Sequence, residues 1–333
     1  MTPAFFGLSG PVLTDAERAF FAEVVPAGFI LFGRNVETKA QLRALTDSLR
    51  DLTGRDDLPV LIDQEGGPVV RMKPPVWPAF PAGPAFDALY EIAPMSAIEA
   101  MRANALALAL MLREAGITVD CAPMLDLGRP ETTSAVLPRA LGREPMRVAA
   151  LGRAMLDGLA EGGVAGVIKH MPGHGRAVAD THLSLPTVTA SAEELAGDMA
   201  PFRSLANAPM GMTAHIVFTA FDAERPATLS PIVIDRVIRG EIGFDGLLMT
   251  DDIGMGALSG RVADRAVAAL TAGVDVVLEC SGDLAVMQAV AAALPAMTHR
   301  ARERLARAMA LCGASEGDMA AALAKRDALL ALV

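Results

Sequence analysis

The sequence predicts a single-domain α/β protein with the architecture of a (β/α)8 TIM barrel. Short apolar runs of β-type composition alternate along the chain with amphipathic stretches rich in Ala, Leu, Arg and Glu. The short runs are apolar at successive positions, which indicates strands buried on both faces, as in a parallel sheet. A length of 333 residues lies within the range of this fold.

Eight strand–helix units are present, which favours a closed barrel over an open doubly wound sheet. The strand-like runs lie at residues 4–8, 28–32, 59–63, 118–125, 164–169, 209–214, 245–250 and 274–279.

Helical patterns follow most of these runs, and Ser230-Pro231 supplies an N-cap and a first-turn proline for one of them. Residues 282–333 carry only helical patterns. We therefore expect one catalytic domain over residues 1–333, with 282–333 as a helical C-terminal closure. The other predicted helices include those at 14–24, 37–52, 92–115, 145–162, 230–240 and 258–272.

The charge balance excludes some classes of partner. The net charge is 29 − 39 = −10, whereas general binding to nucleic acid or to an anionic membrane needs a basic surface. The most apolar helical run, 103–112, is too short to span a bilayer and is better interpreted as a helix buried against the sheet. One cationic cluster is interpreted as a solvated helix face, namely Arg300, Arg302, Arg304 and Arg307.

The cysteines indicate the compartment. Cys121, Cys280 and Cys312 are odd in number, widely spaced and without a CxxC pair, which is typical of reduced thiols in the cytoplasm. The first residues, MTPAFFGLSG, show no basic region of a signal peptide. We expect a cytoplasmic monomer that acts on a small molecule, with neither nucleic acid nor membrane as a partner.

Unusual polar residues lie where the predicted strands end. In a TIM barrel the catalytic groups lie at the C-terminal ends of the strands. Titratable groups that meet at one mouth of a barrel are what acid/base catalysis needs. They include Asp63, Glu65, Arg71, Asp126, Lys169, Asp251 and Asp252, together with His170, His174, His182 and His215 at the strand ends or in the loops that follow.

Three chemistries could use such a cluster. A metal site is disfavoured, because Pro172 and Gly173 lie between His170 and His174 and forbid the helix that this spacing would need. Dinucleotide chemistry is disfavoured too, because the glycine pattern in 254–260 is one residue too long for GxGxxG.

Glycoside chemistry suits the cluster better. A carboxylate at the barrel mouth attacks the anomeric carbon and a second group moves the proton. Asp251 suits the nucleophile, although the pattern alone does not select it over Asp252. His182 lies two residues from Asp180 and suits a proton shuttle polarised by a carboxylate.

Several segments carry a family resemblance. The chain resembles bacterial β-N-acetylhexosaminidases of glycoside hydrolase family 3, and among them the single-domain enzymes of peptidoglycan recycling. The matching segments are GFILFGRNVET (28–38), IDQEGGPVVRM (62–72), VLPRALGREP (136–145), VIKHMPGHGRAVADTHLSLP (167–186), MTAHIVF (212–218) and GFDGLLMTDDIGMGAL (243–258).

The resemblance implies a role for each matching position. It makes Asp251 the nucleophile, leaves Asp252 as a structural or tuning neighbour, and makes Asp180 and His182 the acid/base dyad on a loop, 171–185. Gly173 and Gly175 could let this loop open and close over the sugar. The residues implied to hold the sugar hydroxyls and the N-acetyl group are Asp63, Arg71, Arg139, Lys169 and His170.

The implied activity is that of a retaining exo-β-N-acetylglucosaminidase without a metal or cofactor. It would remove non-reducing terminal β-linked N-acetylglucosamine from peptidoglycan fragments, the N-acetylglucosaminyl-1,6-anhydromuropeptides, in cell-wall recycling. Three alternatives stay open: a β-N-acetylglucosaminide phosphorylase with the same site, a metal-dependent hydrolase, and a non-catalytic barrel that binds muropeptides.

Overall fold

The computed structural model describes residues 1–333 and contains a closed barrel of eight parallel strands. The barrel strands are β1 (Thr2–Gly7), β2 (Pro26–Leu31), β3 (Val60–Ile62), β4 (Val119–Asp120), β5 (Ala165–Met171), β7 (Met210–Thr213), β9 (Leu247–Asp252) and β10 (Val276–Glu279). Around the barrel they follow the order β1-β10-β9-β7-β5-β4-β3-β2. Two further strands, β6 (Thr187–Val188) and β8 (Val217–Phe218), pair with each other outside the barrel.

Helices surround the barrel, and one of them, Val233–Glu241, has π-type hydrogen bonding. Short 3-10 turns lie at Gly33–Asn35, Leu137–Arg139 and Ala227–Leu229. The α-helices are α1 (Asp15–Val24), α2 (Lys39–Thr53), α3 (Gly83–Ile92), α4 (Pro94–Glu114), α5 (Pro145–Glu161), α6 (Ala192–Ser204), α7 (Val262–Ala272), α8 (Leu284–Ala293), α9 (His299–Met309) and α10 (Met319–Leu330).

The predicted barrel is confirmed, and each of the eight strand-like runs overlaps one barrel strand. The largest difference in length is at β4, where the predicted run 118–125 contributes only two ladder residues. Pro123 lies in this run and has no N–H to donate to a ladder. The run nevertheless stays beside β5, because Leu125 N donates to the carbonyl of Lys169 at 2.7 Å.

Two apolar layers hold the barrel. The inner layer fills the barrel with side chains such as Phe5, Leu61 and Met249, and the larger outer layer lies between the strands and the surrounding helices. Leu305 and Met309 of α9 belong to the inner layer. Helix α9 therefore closes the end of the barrel opposite the catalytic mouth.

The arginines of α9 are not all solvated, so that interpretation was wrong for Arg304. This side chain is only 6% exposed and pairs with Asp275 at 2.9 Å and with Asp245 at 2.6 Å. Arg300 and Arg307 are exposed but also pair with Asp245. These pairs attach α9 to the residues that precede β9 and β10.

Helix α4 is long and apolar enough to cross a membrane by length and composition. Most of its apolar positions are buried inside the protein, where the helix packs against α3, α5 and α10. It is therefore a core helix of the barrel's outer layer.

Candidate active site

A cavity of about 360 Å³ lies at the C-terminal ends of the strands. Ile30, Met212 and Leu278 form part of its apolar wall. Asp180, also a predicted site residue, is not among the residues that line the cavity but contacts His182, which does line it. The predicted site residues that line the cavity are Asp63, Arg71, Arg139, Lys169, His170, His182 and Asp251.

One side of the cavity is a network of ion pairs around Lys169. Its Nζ lies 3.0 Å from Asp63 Oδ1 and 2.6 Å from Glu65 Oε1. Arg139 donates two hydrogen bonds to the same Glu65, from Nη2 at 2.6 Å and from Nε at 2.9 Å. Arg71 completes the network by donating to Asp63 Oδ2 at 3.2 Å. We call these five residues the sugar-binding half of the site, after the role that the family resemblance implies for four of them.

This network is buried, and its charges stabilise one another. The Lys169 side chain is 3% exposed, yet its pKa is raised, because Glu65 and Asp63 outweigh the lowering effect of burial. Burial alone would raise the pKa of Glu65, but Lys169 and Arg139 hold it far below its usual value. Lys169, Arg139 and Glu65 therefore stay charged at neutral pH and can present charged hydrogen bonds to a polar ligand.

Gln64 fixes the loop that carries Arg71. Its side-chain Oε1 accepts from Arg71 N at 2.7 Å and from Met72 N at 3.0 Å, and its Nε2 donates to the Met72 carbonyl at 2.9 Å. The backbone N of Gln64 in turn donates to Asp120 Oδ1 at 3.0 Å. A chain of contacts, buried as far as Gln64, thus runs from β4 to the cavity wall.

His170 is held by Asp126 and faces Asp251. Its Nδ1 lies 2.7 Å from Asp126 Oδ2, and its Nε2 lies 4.0 Å from Asp251 Oδ2. Burial raises the pKa of Asp126, but His170, His174 and the hydrogen bonds they make outweigh it, so the net shift is downward. An ionised Asp126 can only accept, so Nδ1 of His170 carries a proton and the ring orientation is set.

Two of the four clustered histidines lie behind the cavity wall. His174 stacks edge-on against His170, with ring centroids 5.5 Å apart, and burial lowers its pKa to about 4. His215 is buried and bridges Thr228 Oγ1 at 2.7 Å and the Asp252 carbonyl at 2.9 Å. Their role is therefore to support the loops, and His170 and His182 are the histidines that line the cavity.

Asp251 and Asp252 follow each other at the end of β9 but have different surroundings. Both residues line the cavity, and Asp252 N donates to Asp251 Oδ1 at 2.8 Å. Burial would raise the pKa of Asp251, but His170 and His215 outweigh it and lower the pKa. The pKa of Asp252 is raised by burial and by Asp251, and its Oδ1 accepts from Gly254 N and Cys280 N. Asp251 is thus the more anionic of the two and is the one not engaged by neighbouring loops.

Asp180 and His182 form a dyad on an exposed segment. Asp180 Oδ1 lies 2.7 Å from His182 Nδ1 and also accepts the backbone N of His182 at 2.9 Å. The His182 side chain is 70% exposed. Burial raises the pKa of Asp180, but the hydrogen bonds from His182 together outweigh it and lower the pKa. We call residues 178–185 the proton-transfer loop, after the role that the family resemblance implies for Asp180 and His182.

The first part of loop 171–185 is packed tightly. A Cβ at Gly175 would lie 2.1 Å from the Leu127 carbonyl, so this glycine is required for close packing. Thr132 Oγ1 donates to the Gly175 carbonyl at 2.5 Å and His174 N donates to Asp126 at 2.6 Å. The part up to residue 177 is therefore fixed, and the exposed part begins at Val178.

The proton-transfer loop lies against the segment after β9. Ala257 N donates to the Thr181 carbonyl at 3.0 Å. A Cβ at Gly256 would lie 2.7 Å from the His182 carbonyl oxygen, so this approach needs a residue without a side chain. These contacts bring His182 to the cavity that Asp251 lines.

Sequence reasoning gave no role to Glu65, Asp126 or Asp120. The charges near Glu65 in the sequence, Asp63 and Arg71, could have suggested an ion-pair network at this strand end. Asp126 was noticed as a strand-end carboxylate, but only the structure places it on His170. Asp120 carried no sequence signal, because it lies inside an apolar run.

The chain was compared with known proteins. Residues 12–310 match the Glycosyl hydrolase family 3 N terminal domain. A Beta-hexosaminidase of Alkalilimnicola ehrlichii is 38% identical over 284 residues, which is 84% of this chain and 80% of that protein. A Beta-hexosaminidase of Methylococcus capsulatus is 35% identical over 333 residues, covering 98% and 94% of the two chains.

The fold is similar to that of solved structures. NagZ from Neisseria gonorrhoeae in complex with N-trifluoroacetyl-D-glucosamine matches with a TM-score of 0.87 and 29% identity, over 100% of this chain and 96% of that chain. A glycoside hydrolase family 3 β-N-acetylglucosaminidase from Paenibacillus sp. matches with a TM-score of 0.82 and 32% identity, over 98% of this chain and 61% of that chain.

Proposed function

We propose that this chain is a retaining exo-β-N-acetylglucosaminidase that uses a covalent glycosyl-Asp251 intermediate. The proposal starts from its family: the chain belongs to glycosyl hydrolase family 3 and is a β-N-acetylhexosaminidase. The observation that carries the proposal is that Asp251 and His182 line one cavity beside the sugar-binding half. The proposed substrates are N-acetylglucosaminyl muropeptides released from peptidoglycan.

The environment of Asp251 supports its role as nucleophile. A nucleophilic carboxylate must be ionised and must reach the anomeric carbon. The pKa of Asp251 is lowered by His170 and His215, and its side chain is 20% exposed, toward the cavity. Asp252 N holds Oδ1, which leaves Oδ2 as the attacking oxygen.

His182 is proposed as the group that moves the proton. It would protonate the leaving oxygen in the first step and take a proton from water in the second, so that configuration is retained. Asp180 on Nδ1 leaves Nε2 of His182 for the proton transfer. Asp180 stays ionised beside the ring, because its own pKa is lowered, and its carboxylate orients the ring through Nδ1.

The sugar-binding half would hold the terminal N-acetylglucosamine. Asp63 can accept from hydroxyl groups, whereas Lys169, Arg71 and Arg139 can donate to hydroxyl or carbonyl oxygens. Because these residues are already paired around the buried Lys169, they need little reorganisation when the sugar binds.

The test of the proposal uses two neighbouring carboxylates. Asp251→Ala should lower kcat on an aryl β-N-acetylglucosaminide by about 1,000-fold or more, with an unchanged circular-dichroism spectrum. Asp252→Asn is the matched control and should lose much less activity. Activity of the Asp251 variant close to that of the wild type, or the reverse order of the two losses, would remove Asp251 from this role.

A second candidate function is phosphorolysis at the same site. The observation that favours it is the use of a histidine in the acid/base position, because its neutral form does not repel phosphate as a carboxylate would. Product analysis with and without phosphate separates the two: hydrolysis gives free N-acetylglucosamine under both conditions, whereas phosphorolysis gives the sugar 1-phosphate only when phosphate is present. The cytoplasmic location and the monomeric state stay predictions from the sequence.

A further inference from the structure

Asp120 is a buried carboxyl group that the proposed mechanism does not use. It lies at the end of β4 and is 0% exposed. Its Oδ1 accepts from Gln64 N at 3.0 Å, and its Oδ2 has no hydrogen-bond partner. A buried carboxylate with one unbonded oxygen costs free energy unless it is paired with a cation or protonated.

The neighbours of Asp120 belong to the sugar-binding half. The groups whose charges act on it are Asp63 and Glu65, which follow β3, and Lys169 on β5. Cys121, which follows it directly after β4, is also buried, and its pKa is raised well above its usual value. Lys169 already has two carboxylate partners at 3.0 and 2.6 Å, so no cation is free to pair with Asp120.

The pairing within the cluster argues for a neutral Asp120. Lys169, Arg71 and Arg139 are already paired with Asp63 and Glu65. An ionised Asp120 would add a third negative charge near these two carboxylates without a cation of its own. Like charges in a buried site disfavour ionisation.

We propose that Asp120 is a positioning residue of the sugar-binding half, where it acts as an uncharged acid that holds the backbone of Gln64. In this form it fixes the turn from which Asp63, Glu65 and Arg71 reach the cavity. When Asp120 ionises, its charge repels Asp63 and Glu65 and weakens their hold on Lys169 and Arg71. The inference rests on the proposed sugar-binding role of these residues.

The pKa of Asp120 places its ionisation at mildly alkaline pH. Burial raises the pKa of Asp120 to about 8; the hydrogen bond from Gln64 N and the charge of Lys169 oppose this rise, and Glu65 and Asp63 add to it. Lys169 does not titrate there, since its pKa is raised. Asp120 is therefore the group of the cluster that loses its proton as the pH rises from 7 to 9.

The experiment measures the affinity of N-acetylglucosamine by calorimetry between pH 6 and pH 10. Wild-type affinity should fall on the order of tenfold above pH 8, because a new charge lies near the site. Asp120→Asn keeps the neutral form at all pH values, so its affinity should not fall in this interval. Glu279→Gln is the matched control, because Glu279 is another buried strand-end carboxyl with an unpaired oxygen and a raised pKa. This control should keep the wild-type profile.

A stability measurement distinguishes a neutral from an ionised Asp120. A carboxyl whose pKa is raised in the folded state lowers stability progressively as the pH rises from its unfolded to its folded pKa. Asp120→Asn should therefore raise Tm relative to the wild type at pH 7 to 9, with no gain near pH 3. A lower Tm for the variant at pH 8, or failure of the variant to fold, would overturn the proposal.

The remaining outcomes separate this inference from the proposed function. If Asp120→Asn keeps the alkaline fall in affinity while Lys169→Ala no longer binds the sugar, the inference about Asp120 is wrong and the site stands. If Lys169→Ala binds as tightly as the wild type, the proposed sugar-binding role itself is wrong. If Glu279→Gln removes the alkaline fall, the titrating group is Glu279 and not Asp120.

Discussion

The two halves of the site are built in opposite ways. The sugar-binding half is a buried ion-pair network in which Lys169 is 3% exposed and each charged group has at least one partner within 3.2 Å. The proton-transfer loop carries a dyad whose histidine is 70% exposed. Its side chains Val178 and Leu183 are 70% and 81% exposed.

The difference concerns what holds each half in place. Packing and charge pairing fix the sugar-binding half from several strands at once, so it is preorganised for the bound sugar. The proton-transfer loop depends on the Asp180–His182 pair and on the backbone contact between Thr181 and Ala257. We therefore expect substitutions in the first half to affect folding and binding together, and those in the second to affect the chemical step alone.

The largest effect is expected when the buried network is broken at Glu65. Glu65→Gln leaves Arg139 and Lys169 without their shared carboxylate, and we expect a loss of about 3–5 kcal/mol in the free energy of unfolding. KM should rise as well, because both cations lose their positions. Urea denaturation and steady-state kinetics measure the two effects.

The pH dependence of this loss of stability follows from the direction in which the pKa of Glu65 is shifted. Its pKa lies far below the ordinary value of 4.5, so the stabilisation is fully present above 4.5 and is lost only as the pH falls through the lower folded value. The difference in stability between Glu65→Gln and the wild type should be equal at pH 5 and pH 6, below the pH range in which Asp120 ionises. Asp264→Asn is the control, since it breaks an exposed pair with Arg261, and should leave stability unchanged. A comparable loss in both variants would contradict the contrast between buried and exposed pairs.

An intermediate effect is expected at His182. Removal of the general acid should cost about 100-fold or more in kcat/KM on substrates with an alkyl leaving group. The loss should be only about threefold on a dinitrophenyl substrate, whose leaving group needs no proton. Denaturation curves should not change, because the side chain is exposed.

The control for His182→Ala is His299→Ala, which removes another exposed histidine beside a carboxylate, Glu303, far from the cavity. It should have no effect on either substrate. Equal losses of the His182 variant on both substrates would mean that His182 does not transfer the proton.

The smallest effect is expected at Gly256. A Cβ here would lie 2.7 Å from the His182 carbonyl oxygen, so Gly256→Ala must displace the proton-transfer loop. Because small misplacements of a catalytic group are costly, we expect kcat to fall by about tenfold with little change in KM. Gly197→Ala is the control, since a Cβ there meets no atom within 4 Å. An increase in KM without a fall in kcat would show that the loop binds substrate instead of positioning the proton donor.

The same contrast explains how much the sequence could predict. The barrel and the strand-end residues Asp63, Lys169 and Asp251 follow from hydrophobic periodicity and from the rule that strand ends face one mouth. The choice of Asp251 over Asp252 did not follow from the pattern, because the two differ only in what accepts and donates around them. The position of His182 did not follow either, since it depends on loop contacts to Ala257 and Gly256.

The central claim is that Asp251 forms a covalent bond to the sugar. The most direct measurement incubates the enzyme with a 5-fluoro N-acetylglucosaminyl fluoride, which slows turnover of the intermediate, and then identifies the labelled peptide by mass spectrometry. We predict one added glycosyl group, in the peptide that contains residues 243–258, with fragment ions that place it on Asp251. A label on Asp252 or Asp180, or complete turnover without a label when the wild type is quenched early, would contradict the account.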